Sequence, residues 1–74
     1  MLSLLDISKL KSEVKDRFNA DLHYHDACPR GYFTLDEHNE NIVKFIEDFL
    51  AERKLQPKFS EDYLHFVAER IRNA

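Results

Sequence analysis

The 74-residue sequence has few of the residues that build disulfides, tight turns and phosphate-binding loops: one Cys, one Gly, two Pro and no Trp. A single cysteine excludes a disulfide scaffold and a four-cysteine zinc site, so we expect a reducing, cytoplasmic location. One glycine leaves little room for the turns of a sandwich or barrel. No apolar run approaches the roughly 20 residues of a membrane-spanning helix, and no membrane partner is expected. Regular elements should therefore make up most of the chain.

The apolar content is high enough for a folded core. Leu, Ile, Val and Phe account for 22 of the 74 residues, and nine residues are aromatic. This composition is typical of folded rather than disordered chains, and we expect one small globular domain over residues 1–74. A chain of this length buries only about 60% of its unfolded surface. Docking on a partner or on a second copy is therefore a physical expectation.

The charge pattern bears on the class of partner. Eleven Lys and Arg against fourteen Asp and Glu give a net charge of −3, and the basic residues are scattered among acidic ones. Mixed charges of this kind are typical of solvated helix faces, whereas nucleic-acid binding needs a stripe of cations that follows the phosphates. Nucleic acid is therefore not the expected ligand.

Two helices are predicted from apolar residues spaced three and four apart. The first covers about residues 6–18, with Asp6 as its N-cap, and the second covers about residues 37–54, with Asp36 as its N-cap. The second helix has an apolar stripe wider than one neighbour needs, formed by Ile42, Val43, Phe45, Ile46, Phe49 and Leu50. We expect a homodimer that buries part of the second helix or of a third helix predicted after it, or that pairs hairpin edges across a two-fold axis.

Between these helices the apolar period changes to two, which predicts a β-hairpin over residues 21–36. With Pro29 and Arg30 as a two-residue loop, four apolar residues share one face: Leu22, Tyr24, Phe33 and Leu35. His23 and His25 then lie on the other face. If Gly31 forms a bulge, the slip of one residue moves both histidines to the apolar side. The apolar pattern favours the first register, with the histidines outward.

The last part of the chain has two interpretations. Ser60 and the acidic residues after it fit the N-cap and first turn of a third helix that continues to about residue 73. The alternative is a second β-hairpin over residues 58–67. Residues 68–72 favour the helix, because they are poor strand formers next to one another. The predicted fold is therefore α+β, in the order helix, hairpin, helix, helix, with the helices packed on one face of a short antiparallel sheet.

The residues most suited to metal chemistry are His23, His25 and Cys28. On a strand, the two histidines project to the same face about 7 Å apart, a spacing that a metal ion can bridge. Cys28 is an odd number of residues from both histidines, so on a regular strand it would lie on the opposite face. The turn would have to direct its thiolate toward the histidines, or Asp36 or His38 would have to complete the site. Zn, Ni or Cu suits such donors. A closed zinc site needs four ligands, whereas the spacing supplies only the two histidines cleanly. We therefore favour the interpretation without a metal, in which the histidines face solvent and Cys28 is half-buried.

Nucleophilic catalysis by Cys28 is the second chemical hypothesis, with His23, His25 or His38 as the base. Pro29 removes one backbone N–H from any oxyanion site at this loop. No known cysteine- or serine-nucleophile signature surrounds these residues. An enzyme is therefore not predicted.

The aromatic residues predict a binding surface, because so small a chain cannot cover all of them. The aromatic residues expected to contact a partner are Tyr24, Tyr32, Phe49, Tyr63 and Phe66. The open edges of the hairpin also permit the addition of a strand from another chain. The sequence thus predicts a small intracellular interaction or regulatory module without catalytic activity, which binds a protein through the hairpin edge and the aromatic helix faces. The alternative is a transition-metal or thiol-dependent sensor.

Overall fold

The computed structural model of the protein describes residues 2–27 and 31–71. The elements are α1 (Leu4–Phe18), β1 (Leu22–His25), β2 (Tyr32–Leu35), α2 (Glu40–Ala51), β3 (Leu55–Phe59) and β4 (His65–Arg70). The strands form one antiparallel sheet in the order β1-β2-β4-β3. Since β2 and β3 both run antiparallel to β4, they are parallel to each other, and α2 connects them. The α+β class is confirmed, whereas the predicted order of elements is wrong after α2.

The predicted third helix is a second β-hairpin, in which β3 and β4 pair along their length. The residues that resembled a helix N-terminus form its turn. Asp62 accepts hydrogen bonds from the Ser60 hydroxyl and, at 2.9 Å, from the Leu64 N–H. Tyr63 takes a left-handed conformation, with φ of 59°. Ser and Asp stabilise turns through such bonds as well as capping helices, and pairing on both sides of β4 outweighs its weak strand propensity.

Both helices begin at caps that differ from the predicted ones. The N-cap of α1 is Ser3, whose hydroxyl accepts a hydrogen bond from the N–H of Asp6 at 3.1 Å. The Asp6 carboxylate accepts in return from the Ser3 N–H at 3.3 Å, so Asp6 completes a capping box. Asn39 caps α2, which ends at Ala51. In the described part of the chain, neither helix is long and apolar enough to cross a membrane.

The first hairpin has the predicted faces in a shifted register. Leu22 pairs with Leu35, and Tyr24 pairs with Phe33. This pairing is displaced by two residues from the one that a two-residue loop implies, and an even displacement leaves every side chain on its predicted face. The predicted turn at residues 28–30 lies outside the described residues.

The core lies between the sheet and the two helices, which pack on the same face. Its buried residues are Ile7, Leu10 and Val14 of α1, Ile42, Ile46, Phe49 and Leu50 of α2, and Leu22, Phe33, Leu35, Leu55 and Phe66 of the sheet. At its centre the rings of Phe33 and Phe66 stack with centroids 4.7 Å apart and planes 6° apart. Each of the two residues is 2% exposed. This stack joins the two hairpins.

One ion pair links the start of α1 to the segment after α2. The Nε of Arg53 donates to the Asp6 carboxylate at 3.1 Å, and its Nη1 donates to the Phe49 carbonyl at 3.0 Å. The guanidinium lies 3.8 Å from the centroid of the Phe49 ring. The hydrogen bond from Arg53, followed by the one from the Ser3 N–H, holds the pKa of Asp6 below its ordinary value. The carboxylate therefore stabilises the folded chain while it is ionised.

Truncating the central stack should destabilise the fold strongly. We expect Phe66→Ala to lower the free energy of unfolding by about 3–5 kcal/mol, because it leaves a cavity against Phe33. Val67→Ala changes the neighbouring residue, which points away from the core, and should cost about 1 kcal/mol or less. Urea unfolding followed by circular dichroism measures both. Equal losses in the two variants would contradict the assigned faces of β4.

Replacing Asp6 should give a stability loss that depends on pH. The folded-state pKa of Asp6 lies below its ordinary 3.8, so its contribution is complete above that pH and is lost as the pH falls through the folded-state pKa. Asp6→Asn should therefore be less stable than the wild type at neutral pH, and the difference should shrink in acid. Urea unfolding at about pH 7, 5 and 3 measures this difference.

Asp48→Asn is the matched control for that measurement. It breaks a longer, exposed contact of 3.9 Å to Lys44 on α2. Exposed pairs of this kind contribute little to stability, so this variant should stay close to the wild type at every pH. A loss in Asp6→Asn that does not change with pH would show that the ionised carboxylate is not what stabilises the fold.

Candidate functional site

The face of the sheet opposite the helices is covered by no element of the described chain. Strand alternation and the observed register assign nine residues to it, here called the open face: His23, His25, Tyr32, Thr34, Gln56, Lys58, His65, Val67 and Glu69. Three of the four histidines in the sequence are among them. The concentration of aromatic and imidazole rings makes the open face the candidate functional site.

An aromatic and aliphatic strip runs across the middle of the open face. The His25 ring stacks on the Tyr32 ring, with centroids 4.8 Å apart and planes 15° apart. The His65 ring lies 6.4 Å from the Tyr32 ring on the other side. Tyr32 and Val67 are half-buried. They line a shallow depression of about 480 Å³ that has Lys58 among its lining residues.

The polar contacts of the open face hold its imidazoles beside oxygen acceptors. His23 lies 3.3 Å from the carboxylate of Asp36, and His65 lies 3.9 Å from that of Asp62. Hydrogen bonds from the Ser60 hydroxyl and then from a backbone N–H hold the pKa of Asp62 below its ordinary value. That carboxylate therefore stays an anion beside His65.

The predicted metal ligands are only partly described. His23 and His25 share the open face, as the favoured register predicts, but their contacts diverge. His23 lies against Asp36, whereas the Nε2 of His25 is within 3.0 Å of the Thr34 hydroxyl. Cys28 lies outside the described residues. Within residues 2–27 and 31–71, no group of three or more His, Cys, Asp or Glu side chains has the geometry to hold a metal ion. A metal site therefore stays a prediction.

The five aromatic residues predicted to contact a partner occupy different environments. Phe49 and Phe66 are core residues, 5% and 2% exposed. Tyr32 lies on the open face, Tyr63 is 41% exposed in the turn between β3 and β4, and Tyr24 is half-buried on the helix side. A partner that docks on the folded chain can therefore reach the tyrosines but not the two phenylalanines.

Two residues of the strip around Tyr32, His65 and Val67, were absent from the sequence-based prediction of a binding surface. His65 and Val67 were assigned to a third helix, so their place on a strand beside Tyr32 was not foreseen. The signal that could have found them is the short alternation Leu64-His65-Phe66, which also supported the second hairpin. Strand alternation is what brings these side chains to the same face as Tyr32.

The sheet edges offer less to a partner than the prediction of strand addition implied. On β3, Pro57 has no N–H with which to bind an added strand. On β1, the N–H of Leu35 donates to Leu64 on the side of β4, so Leu35 does not face β1. Alternation then leaves Leu22 and Tyr24 as the residues of β1 whose backbone groups face outward. A strand added to β1 could therefore form backbone hydrogen bonds with only these two residues of that strand.

No protein-family model matches the chain, and no curated protein and no solved structure is significantly similar to it. The function is therefore argued from the chemistry of the surfaces. The open face differs from an ordinary solvated sheet face because apolar and aromatic side chains occupy its centre.

The metal hypothesis is decided by elemental analysis of protein purified without a histidine tag. We expect well below one equivalent of Zn, Ni or Cu per chain, because a stable site needs more converging donors than the two histidines supply. A stoichiometric metal that is lost in the His23→Ala/His25→Ala double variant would contradict this expectation. That result would favour the metal sensor. His38→Ala is the control, since the His38 ring stacks on Tyr63 with centroids 4.9 Å apart and is not on the open face.

Proposed function

We propose that the chain is a small, non-catalytic interaction module that binds a protein partner on its open face. The observation that carries the proposal is the strip of Tyr32 and Val67, two half-buried residues at the centre of a sheet face that no described helix covers. Aromatic and aliphatic side chains in such a depression are typical anchor sites for a partner's apolar residue.

The charges around the strip favour one kind of partner segment. Lys58 pairs with Val67 across β3 and β4, so its ammonium borders the strip. Among the described residues, Lys58 makes no ion pair within 4 Å. The imidazole rings of His25 and His65 flank Tyr32. We therefore propose a partner segment that has an apolar side chain next to a carboxylate.

Two further observations support a protein partner without catalysis. Lys58 is the only Lys or Arg of the open face, where Glu69 also lies, so a phosphate backbone would find little positive charge at neutral pH. The carboxyl groups of Asp6 and Asp62 have lowered pKa values because hydrogen bonds of a helix start and a turn stabilise them. Such groups act as structural anions rather than as general acids.

A second copy of the chain is the competing occupant of the open face. The apolar stripe of α2 that predicted a dimer is mostly covered within the chain, since Ile42, Ile46, Phe49 and Leu50 are buried. The stripe therefore offers little further surface to a second copy, whereas the open face and the short β1 edge remain available to one. This observation favours a different protein as the partner, and the test below separates the two occupants.

The test uses peptides selected from a random display library on the immobilised protein and then titrated into isotope-labelled protein. We expect the amide shifts to concentrate at Tyr32, His65 and Val67. Val67→Lys should weaken binding about tenfold or more, because it places an ammonium in the apolar strip. Ser12→Lys is the matched control, since it adds the same charge to an exposed position on α1 and should leave affinity unchanged.

Three outcomes would contradict the proposal. The first is a selection that yields no peptide sensitive to Val67→Lys, and the second is a set of shifts confined to the helices. The third is sedimentation at tens of micromolar with a mass twice 8.8 kDa that Val67→Lys returns to one copy. That last result would assign the open face to a second copy of the chain.

A further inference from the structure

We propose that the chain also binds a short apolar peptide with free termini, in a cleft on the helix side of the sheet. The proposal is independent of the open face. The cleft, here called the Gly31 cleft, lies between the start of α1 and the sheet and has a volume of about 550 Å³. That volume is within the roughly 300–1,000 Å³ typical of small-ligand sites.

The cleft exists because the sheet has its smallest residues at this point. The register that pairs Phe33 with Phe66, continued by two residues, brings Gly31 opposite Ala68. Both residues line the cleft. A methyl group added at Gly31 would collide with the Tyr24 ring, so this ring lies directly over the glycine. The Tyr24 ring fills the position over Gly31, and the small side chain of Ala68 leaves space beneath the start of α1.

The interior of the cleft is apolar. Phe33, Leu55 and Ile7 line it and are 2%, 4% and 9% exposed. The Tyr24 ring packs on Phe33 with centroids 4.9 Å apart and closes one side. A ligand therefore needs aliphatic or aromatic groups, and it gains affinity from removing them from water.

Two exposed groups of opposite charge also line the cleft, Asp26 and Arg70. Arg70 pairs with the buried Leu55, which assigns its side chain to the helix side, and alternation from Tyr24 assigns Asp26 to the same side. In the described part of the chain, neither group has an ion-pair partner within 4 Å. Within residues 2–27 and 31–71 they can therefore accept a ligand's ammonium and carboxylate without breaking an ion pair.

The strand order favours a ligand longer than a single amino acid. Asp26 follows β1 and Arg70 is on β4, with β2 between them. Neighbouring strands are about 4.8 Å apart, so the two backbones are about 10 Å apart or more. A single α-amino acid has both charges on one carbon. An extended dipeptide separates its termini by about 7 Å, which the two side chains can bridge. Free termini and apolar side chains are therefore the chemistry that fits.

The experiment titrates leucyl-phenylalanine into isotope-labelled protein and repeats the titration with its N-acetylated form and its C-terminal amide. We expect shifts at Gly31 and Ala68. Each blocked form should bind about three- to tenfold more weakly, because it loses one charge-assisted contact. Arg70→Gln should weaken the free dipeptide by a similar factor without further weakening the amide. Asp26→Asn should likewise weaken the free dipeptide without further weakening the N-acetylated form.

The control variants remove the same charges as Arg70→Gln and Asp26→Asn, but from residues on the other side of the sheet. Lys58→Gln and Asp36→Asn should leave dipeptide binding unchanged. Ala68→Leu fills the cleft and should abolish binding, provided that its spectrum stays dispersed. The exposed Arg70 and Asp26 variants decide the question where Ala68→Leu does not fold.

The proposal would be overturned by equal affinity for the free and blocked dipeptides or by amide shifts confined to the open face. It would also be overturned by the absence of any shift at about 10 mM dipeptide. That concentration follows from the few kcal/mol of binding free energy that a small apolar ligand can contribute. Failure here is distinguishable from failure of the proposed interaction module. Val67→Lys should leave dipeptide binding intact, and Arg70→Gln should leave the library-selected peptides bound to the open face.

Discussion

The pairing of β2 with β4 is the contact on which the rest of the described fold depends. It joins the two hairpins through the pairs Phe33 with Phe66 and Thr34 with His65. These strands are more than thirty positions apart in the sequence, so bringing them together costs chain entropy. The stacked rings of Phe33 and Phe66, buried between the sheet and the helices, offset that cost with one of the largest apolar contacts in the core.

The same pairing determines the two sides of the sheet. Once Phe33 and Phe66 point toward the helices, their strand neighbours Tyr32 and Val67 must point the other way. On the inner side, the ion pair of Asp6 with Arg53 links the start of α1 to the segment after α2. The open face is therefore a direct consequence of how the core is closed.

The two proposed binding surfaces lie on opposite sides of one sheet and differ in chemistry. The open face has stacked rings beside Lys58, which suits a segment that has an apolar side chain next to a carboxylate. The Gly31 cleft is an apolar space with one charge of each sign, Asp26 and Arg70, which suits a small zwitterion. Because different side chains line the two surfaces, variants of one can be read without disturbing the other.

Local sequence patterns were sufficient to predict both helices, the first hairpin and the outward direction of His23 and His25. Each of these features depends on residues within about fifteen positions of one another. The second hairpin was not predictable in this way, because Ser60 and Asp62 fit a helix start as well as a turn. Pairing with a distant strand resolved that ambiguity. It also brought His65 and Val67 beside Tyr32, and Ala68 opposite Gly31. These contacts were not predicted from the sequence, because contacts between remote segments leave no periodic signal in either segment.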